Sequence, residues 1–199
     1  MRVAVLVSGG GTNLQALLDA KKEGQLPEAD ICTVISNRKG AYALERAHAN
    51  GIEAIYLPTT RFEERKEFHR ALRDLLVERQ IDLIVLAGFL VVLGEEVIQA
   101  FPNRIINIHP SLIPKYCGKG FYGIRVHQAV IAGGEKESGA TVHYVDEGVD
   151  TGRIILQEKV PVLPGDTPEE LAARVLVTEH RILAEGLRIA IAEMKPLEG

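Results

Sequence analysis

Tryptophan is absent from this 199-residue sequence, and methionine and cysteine occur twice each. Aromatic residues make up only 5% of it, which argues against a surface on which nucleic-acid bases stack. The two cysteines, Cys32 and Cys117, have no metal-like neighbours and make a poor disulfide pair. No His-x-His or His-Glu pair has zinc spacing, so no metal is expected. No apolar run approaches the ~18 residues of a membrane span, and no secretory leader is recognisable. A cytoplasmic protein without a membrane partner is therefore expected. The formal net charge of −4 offers no general attraction to nucleic acid. Repeats, linkers and low-complexity segments are also lacking. What is present is the composition of a soluble globular protein, 46% hydrophobic and 25% charged. The length suits one domain, taken as 1–199, with a real core.

Apolar runs alternate with helical patterns along the chain. Strands are expected at Val3 to Val7, Ile31 to Ile35, Ala54 to Leu57, Leu83 to Leu86 and Ile105 to Ile108. Between them, Leu14, Leu17 and Leu18 repeat at helical spacing, Ala41 to Ala49 reads as a helix, and Phe62 to Arg79 is amphipathic. Strands this apolar, separated by helices, imply a doubly wound, mostly parallel α/β sheet covered on both faces. After Pro110 the pattern changes. Lys115 to Gly123 is irregular and Val126 to Ile131 is a short helix. Ala140 to Val145 and Ile154 to Val160 flank a short loop and predict an antiparallel pair. Thr167-Pro168-Glu169-Glu170 starts a long final helix running to about Met194.

Four segments carry chemistry. In Asn107-Ile108-His109-Pro110-Ser111-Leu112-Ile113-Pro114, an amide and an imidazole lie two residues apart at a strand's end, facing one side. That is where ligands bind in open α/β sheets, and an amide donor beside a titratable ring suits a developing oxyanion. The plainer alternative is a pair that pins a loop. Ser8-Gly9-Gly10-Gly11-Thr12-Asn13 joins a strand to a helix, where glycines and free N–H groups suit a phosphate. It is neither a dinucleotide fingerprint nor a Walker loop, and a tight turn capped by Thr12 is the alternative. Asp146 to Gly152 is acid-rich for a hairpin turn; one carboxylate facing His109 would favour the imidazolium and raise its pKa. Ala87 to Leu93 is apolar where polar residues are usual, as a slot for a flat heterocycle would be, or a buried helix start. His143 reads as structural support. His48, His69, His127 and His180 fall in helical patterns and read as solvated or capping.

Taken together, VLVSGGGTNLQALLDA, VLAGFL, NIHPSLIPKYCGKG, SGATVHYVDEGVDTGRIILQ and the late TEH resemble the glycinamide ribonucleotide branch of the folate-dependent formyltransferase superfamily. The resemblance spans nearly the whole chain, in order. It implies a Rossmann-like formyltransferase fold and the transfer of a formyl group from 10-formyltetrahydrofolate to the amine of glycinamide ribonucleotide, in purine biosynthesis. Asn107 and a protonated His109 would stabilise the oxyanion of a tetrahedral intermediate, with Asp150 holding the histidine and raising its pKa. Gly11, Thr12 and Asn13 would hold the ribonucleotide phosphate and Glu179 its ribose. The folate would contact Arg65, Leu90, Val91, Val92, Leu93, Asn107 and Asp146. The co-substrate is 10-formyltetrahydrofolate, and a homodimer is left open. Val91 stands where many relatives carry arginine, Arg153 where proline is frequent, and Lys115 to Arg125 is expected to form a mobile flap.

Rival readings are a 10-formyltetrahydrofolate hydrolase, a sugar-nucleotide or methionyl-tRNA formyltransferase, and a non-catalytic folate or nucleotide module. The first strand begins at Arg2 and the last element is one helix, so neither a regulatory nor an RNA-binding domain is expected. The intact set Asn107, His109 and Asp150 disfavours a binding module.

Overall fold

The computed structural model describes residues 1–194; the last five positions of the expected 1–199 domain lie outside the described residues. Seven strands form one sheet in the order β3-β2-β1-β4-β5-β6-β7. The first five, β1 (Arg2–Val7), β2 (Asp30–Ser36), β3 (Glu53–Tyr56), β4 (Leu83–Leu86) and β5 (Ile105–His109), pair in parallel. β6 (Glu137–Tyr144) and β7 (Ile154–Pro161) add the antiparallel pair. Because β1 lies between β2 and β4, the chain reverses its winding there. In open α/β sheets ligands bind in the crevice at such a switch point, beyond the strands' C-terminal ends.

Helices cover both faces. α1 (Thr12–Lys22), α2 (Tyr42–Ala49), α5 (Ile124–Ala132) and α6 (Pro168–Met194) pack on one core, with Val5, Leu17, Val85, Ile106 and Leu187 fully buried. α3 (Arg65–Glu78) and α4 (Glu95–Ile98) close the other over Leu6, Ile84 and Ile105. β1 and β4 bury both faces, so they read as unbroken apolar runs. α6 reaches the sheet because Gly186 has no side chain; a Cβ there would lie 2.6 Å from Val142 Cγ1.

The helix expected from Phe62 begins at Arg65, after a 3₁₀ turn at Thr59–Arg61. Glu64 and Glu67 form a reciprocal capping box that fixes this start. The start of α6 is as expected: Thr167 Oγ1 accepts from the Glu170 N–H, and the Thr167 N–H donates to Glu170 Oε2. Arg153 has a role that the sequence did not show. Its guanidinium stacks 4.7 Å from the Tyr144 ring centre and pairs with Glu193, tying the β6–β7 hairpin to α6.

Candidate active site

Pairing of β5 with β6 sets Asn107 opposite His143 and His109 opposite Thr141. Directly opposed residues project to one face, so the amide and two imidazoles converge. Asn107 Nδ2 lies 3.1 Å from His143 Nε2. His143 Nδ1 faces the Tyr144 carbonyl at 2.8 Å, which places the ring proton on Nδ1 and leaves Nε2 to accept from Asn107. One amide N–H of Asn107 remains for a ligand. His143, expected only as support, is thus bonded directly to a candidate catalytic residue.

Asp150 bridges the two rings. Its Oδ2 is 3.7 Å from His109 Nδ1 and its Oδ1 is 3.6 Å from His143 Nε2. The other His109 nitrogen, Nε2, lies 2.9 Å from the Tyr116 carbonyl. Burial pushes the Asp150 carboxyl up, but the neighbouring His143 and His109 rings and the Gly118 N–H together hold it below its usual range. His109 departs from expectation. Burial depresses its pKa by more than the Tyr116 carbonyl and Asp150 raise it, so the net direction is downward. The net shift is therefore opposite to the rise inferred from sequence. Asp150 acts in the expected direction, but the ring is 5% exposed and desolvation of the charged form wins.

The expected flap is tied down where it meets this cluster. Tyr116 offers its carbonyl to His109, and Gly118 donates its N–H to Asp150 Oδ2 at 2.9 Å. Lys115 and Tyr116 both bond Glu135 on the far side. These backbone groups carry no signature in residue type, so sequence reasoning missed them.

The turn after β1 leads directly into the N-terminus of α1. Gly11 caps α1 with φ +72°, and a Cβ there would lie 2.6 Å from Ala43 Cβ, so only glycine fits. Thr12 is the first helical residue and makes no side-chain cap, contrary to the alternative that it caps the turn. The first N–H groups of α1 are left available, with the helix dipole behind them. Asn13 is turned inward, its Nδ2 donating to Glu179 Oε2 at 2.9 Å. Burial raises the Glu179 carboxyl, and this hydrogen bond opposes the rise.

Two cavities share Leu90. One, of about 350 Å³, is lined by Asn13, Glu179 and His127 among apolar residues, and by Ile108 and Pro110, which bracket His109. The second, of about 420 Å³, is lined by Phe62, Phe68, Leu90 and Val91, with Arg65 beside the carboxyl groups of Glu63 and Glu64. Val92 is exposed and Leu93 is packed into the core beside Val97, so neither lines the second cavity. Asp146 accepts from the Gly148 N–H and from Thr151 Oγ1, which commits one of its oxygens to its own turn. Two histidines expected on solvated helix faces are buried, His69 at 6% and His127 at 4% exposure. Among the described residues, no group of three or more metal-binding side chains converges, and no helix is long and apolar enough to cross a membrane.

A family model described as formyl transferase matches residues 1–187. The chain belongs to the formyl transferase family. It is 44% identical over 181 residues to a phosphoribosylglycinamide formyltransferase of Haemophilus influenzae, covering 91% of this chain and 82% of that protein. A chloroplastic protein of the same name from Vigna unguiculata is 45% identical, over 92% of this chain and 59% of its own length. The chain spans about three fifths of that relative and of its Arabidopsis thaliana counterpart. Among solved structures, glycinamide ribonucleotide transformylase 1 from Symbiobacterium toebii superimposes with a TM-score of 0.92 at 43% identity, over 100% of this chain and 91% of that one.

Proposed function

We propose that this formyl transferase carries the formyl group of 10-formyltetrahydrofolate to the amine of glycinamide ribonucleotide, a step of purine biosynthesis, with residues 1–199 acting as one domain. The observation that carries the reading is the Asn107, His109, Asp150 cluster, together with a cavity lined by Ile108 and Pro110 on either side of His109 and a second cavity that shares Leu90 with it. The smaller cavity, continuous with Asn13 and Glu179, suits a phosphorylated sugar: Gly11, Thr12 and Asn13 at the phosphate and Glu179 at the ribose hydroxyls. The second, with apolar Leu90 and Val91 and with Arg65 beside Glu63 and Glu64, is the seat proposed for the folate heterocycle. The neighbouring segments Val92 to Leu93 and Asp146 would contribute through their backbones.

The co-substrate supplies the formyl carbon that the ribonucleotide amine attacks, and the chain's residues manage charge and protons. Asn107 offers its remaining N–H to the oxygen on which negative charge develops. Neutral His109 accepts the proton released as the amine forms its new bond, then returns it to the departing nitrogen. Asp150 steadies the imidazolium during that interval, and His143 orients the Asn107 amide. Mass spectrometry of products from purified protein, glycinamide ribonucleotide and 10-formyltetrahydrofolate tests the reading. Formylated ribonucleotide with stoichiometric tetrahydrofolate is expected; free formate as the only product, or unchanged folate, refutes it.

A further inference from the structure

His127 has no place in the scheme above, yet it is built into the smaller cavity. It lies on α5, is 4% exposed, and lines the space shared with Asn13 and Glu179. Its Nδ1 is enclosed without a hydrogen-bond partner, and so is Asn13 Oδ1. A buried polar atom left unsatisfied is costly, and native structures leave few of them. Three polar side chains, Asn13, Glu179 and His127, thus line one space whose remaining walls, such as Leu90, Ile108 and Leu176, are apolar.

The tautomer follows from the enclosure. An orphaned buried N–H is rarer than an under-used acceptor, so the ring proton belongs on Nε2 rather than on the enclosed Nδ1. Burial, with the charge of nearby His109, pushes the His127 pKa down to about 4. The ring is neutral at physiological pH and acts as a single donor. It complements Glu179, whose carboxyl oxygens accept hydrogen bonds from hydroxyls. A guest held by both must present hydroxyl groups and an acceptor oxygen, as a phosphorylated sugar amide does.

We propose that His127 is a substrate-binding residue, donating a hydrogen bond from Nε2 to an acceptor oxygen of the ribonucleotide opposite Glu179. The inference rests on the ribonucleotide reading of this cavity. It is tested with full-length protein by steady-state kinetics on His127→Ala and His127→Gln, the glutamine amide reaching the position of Nε2. In His127→Ala the KM for glycinamide ribonucleotide should rise about five- to tenfold, the loss of one neutral hydrogen bond. The KM for 10-formyltetrahydrofolate and kcat should stay within about twofold. His127→Gln should recover most of the ribonucleotide KM. An unchanged ribonucleotide KM overturns the proposal, as does an equal loss in all parameters with no recovery by glutamine.

A second measurement needs no variant activity. With ring-labelled histidine in the wild-type protein, adding glycinamide ribonucleotide alone should move the His127 ring nitrogen resonances; resonances that stay fixed at saturation overturn the proposal. Wild-type protein that binds the ribonucleotide but does not formylate it would overturn the proposed reaction, while the ring resonances would still decide the role of His127.

Discussion

Replacing Asp150 with asparagine separates charge from shape at the proposed catalytic centre. Asp150 has φ +59°, a left-handed conformation that asparagine adopts more readily than most residues. The carboxylate accepts the Gly118 N–H at 2.9 Å, and an amide oxygen can take over that bond. What disappears is one negative charge, 3.7 Å from His109 Nδ1 with side-chain exposures of 12% and 6%. At an effective dielectric near 20, a unit-charge pair at this separation is worth about 4 kcal/mol. If His109 carries its positive charge only while the proton is in transit, that stabilisation is lost from the transition state alone, and kcat falls about 10³-fold. The ground state responds in the opposite sense. Burial already lowers the His109 pKa and Asp150 partly offsets it, so removing the carboxylate lowers it further. The base then stays neutral to lower pH, and the acid limb of the rate profile moves downward in pH while its plateau collapses. Single-turnover formyl transfer, followed across the acid and neutral range in both proteins, reads both effects. A plateau within tenfold of wild type, or an acid limb that moves upward, would refute the reasoning.

Asn107→Ala should lower kcat by about 10²–10³-fold through loss of an oxyanion donor, with both KM values little changed in initial-rate assays. Gly11→Ala combines a left-handed φ with a 2.6 Å approach to Ala43; it should cost about 2–4 kcal/mol in urea denaturation and raise the ribonucleotide KM. Acid should destabilise the protein below the ordinary histidine pKa, because burial lowers the pKa of His69, His109, His127 and His180. The unfolded chain then binds more protons than the folded one as pH falls. For His127 the drop from 6.5 to about 4 is worth about 3 kcal/mol once pH is below both values. Glu179, raised by burial, acts the other way, so a flatter melting-temperature profile in His127→Gln than in wild type is the check.

Strand positions and the two functional turns were legible because each depends on local chemistry: unbroken β-branched runs, glycines before a helix, prolines after a strand. The β5–β6 register, and with it the Asn107–His143 contact, was not legible, since pairing partners lie 36 residues apart. His69 and His127 were misjudged for a related reason. Helical spacing marks a face, but which face is buried depends on neighbours that helical periodicity does not name. The same gap explains His109: sequence supplied the nearby carboxylate and not the burial that outweighs it. Tyr116 and Gly118 act through backbone atoms, which any residue would provide.

Ser8 joins the two turns that flank the crevice. Its N–H donates to the Gly88 carbonyl at 3.0 Å, its Oγ accepts the Leu90 N–H at 2.9 Å, and the same hydroxyl donates to Asn37 at 2.6 Å. The glycine turn before α1 and the Leu90 segment are thereby tied directly to each other. In the proposed reaction the two seats keep a fixed spacing before either substrate arrives, so the approach of amine to formyl carbon is preset by the sheet's own turns and demands little further closure.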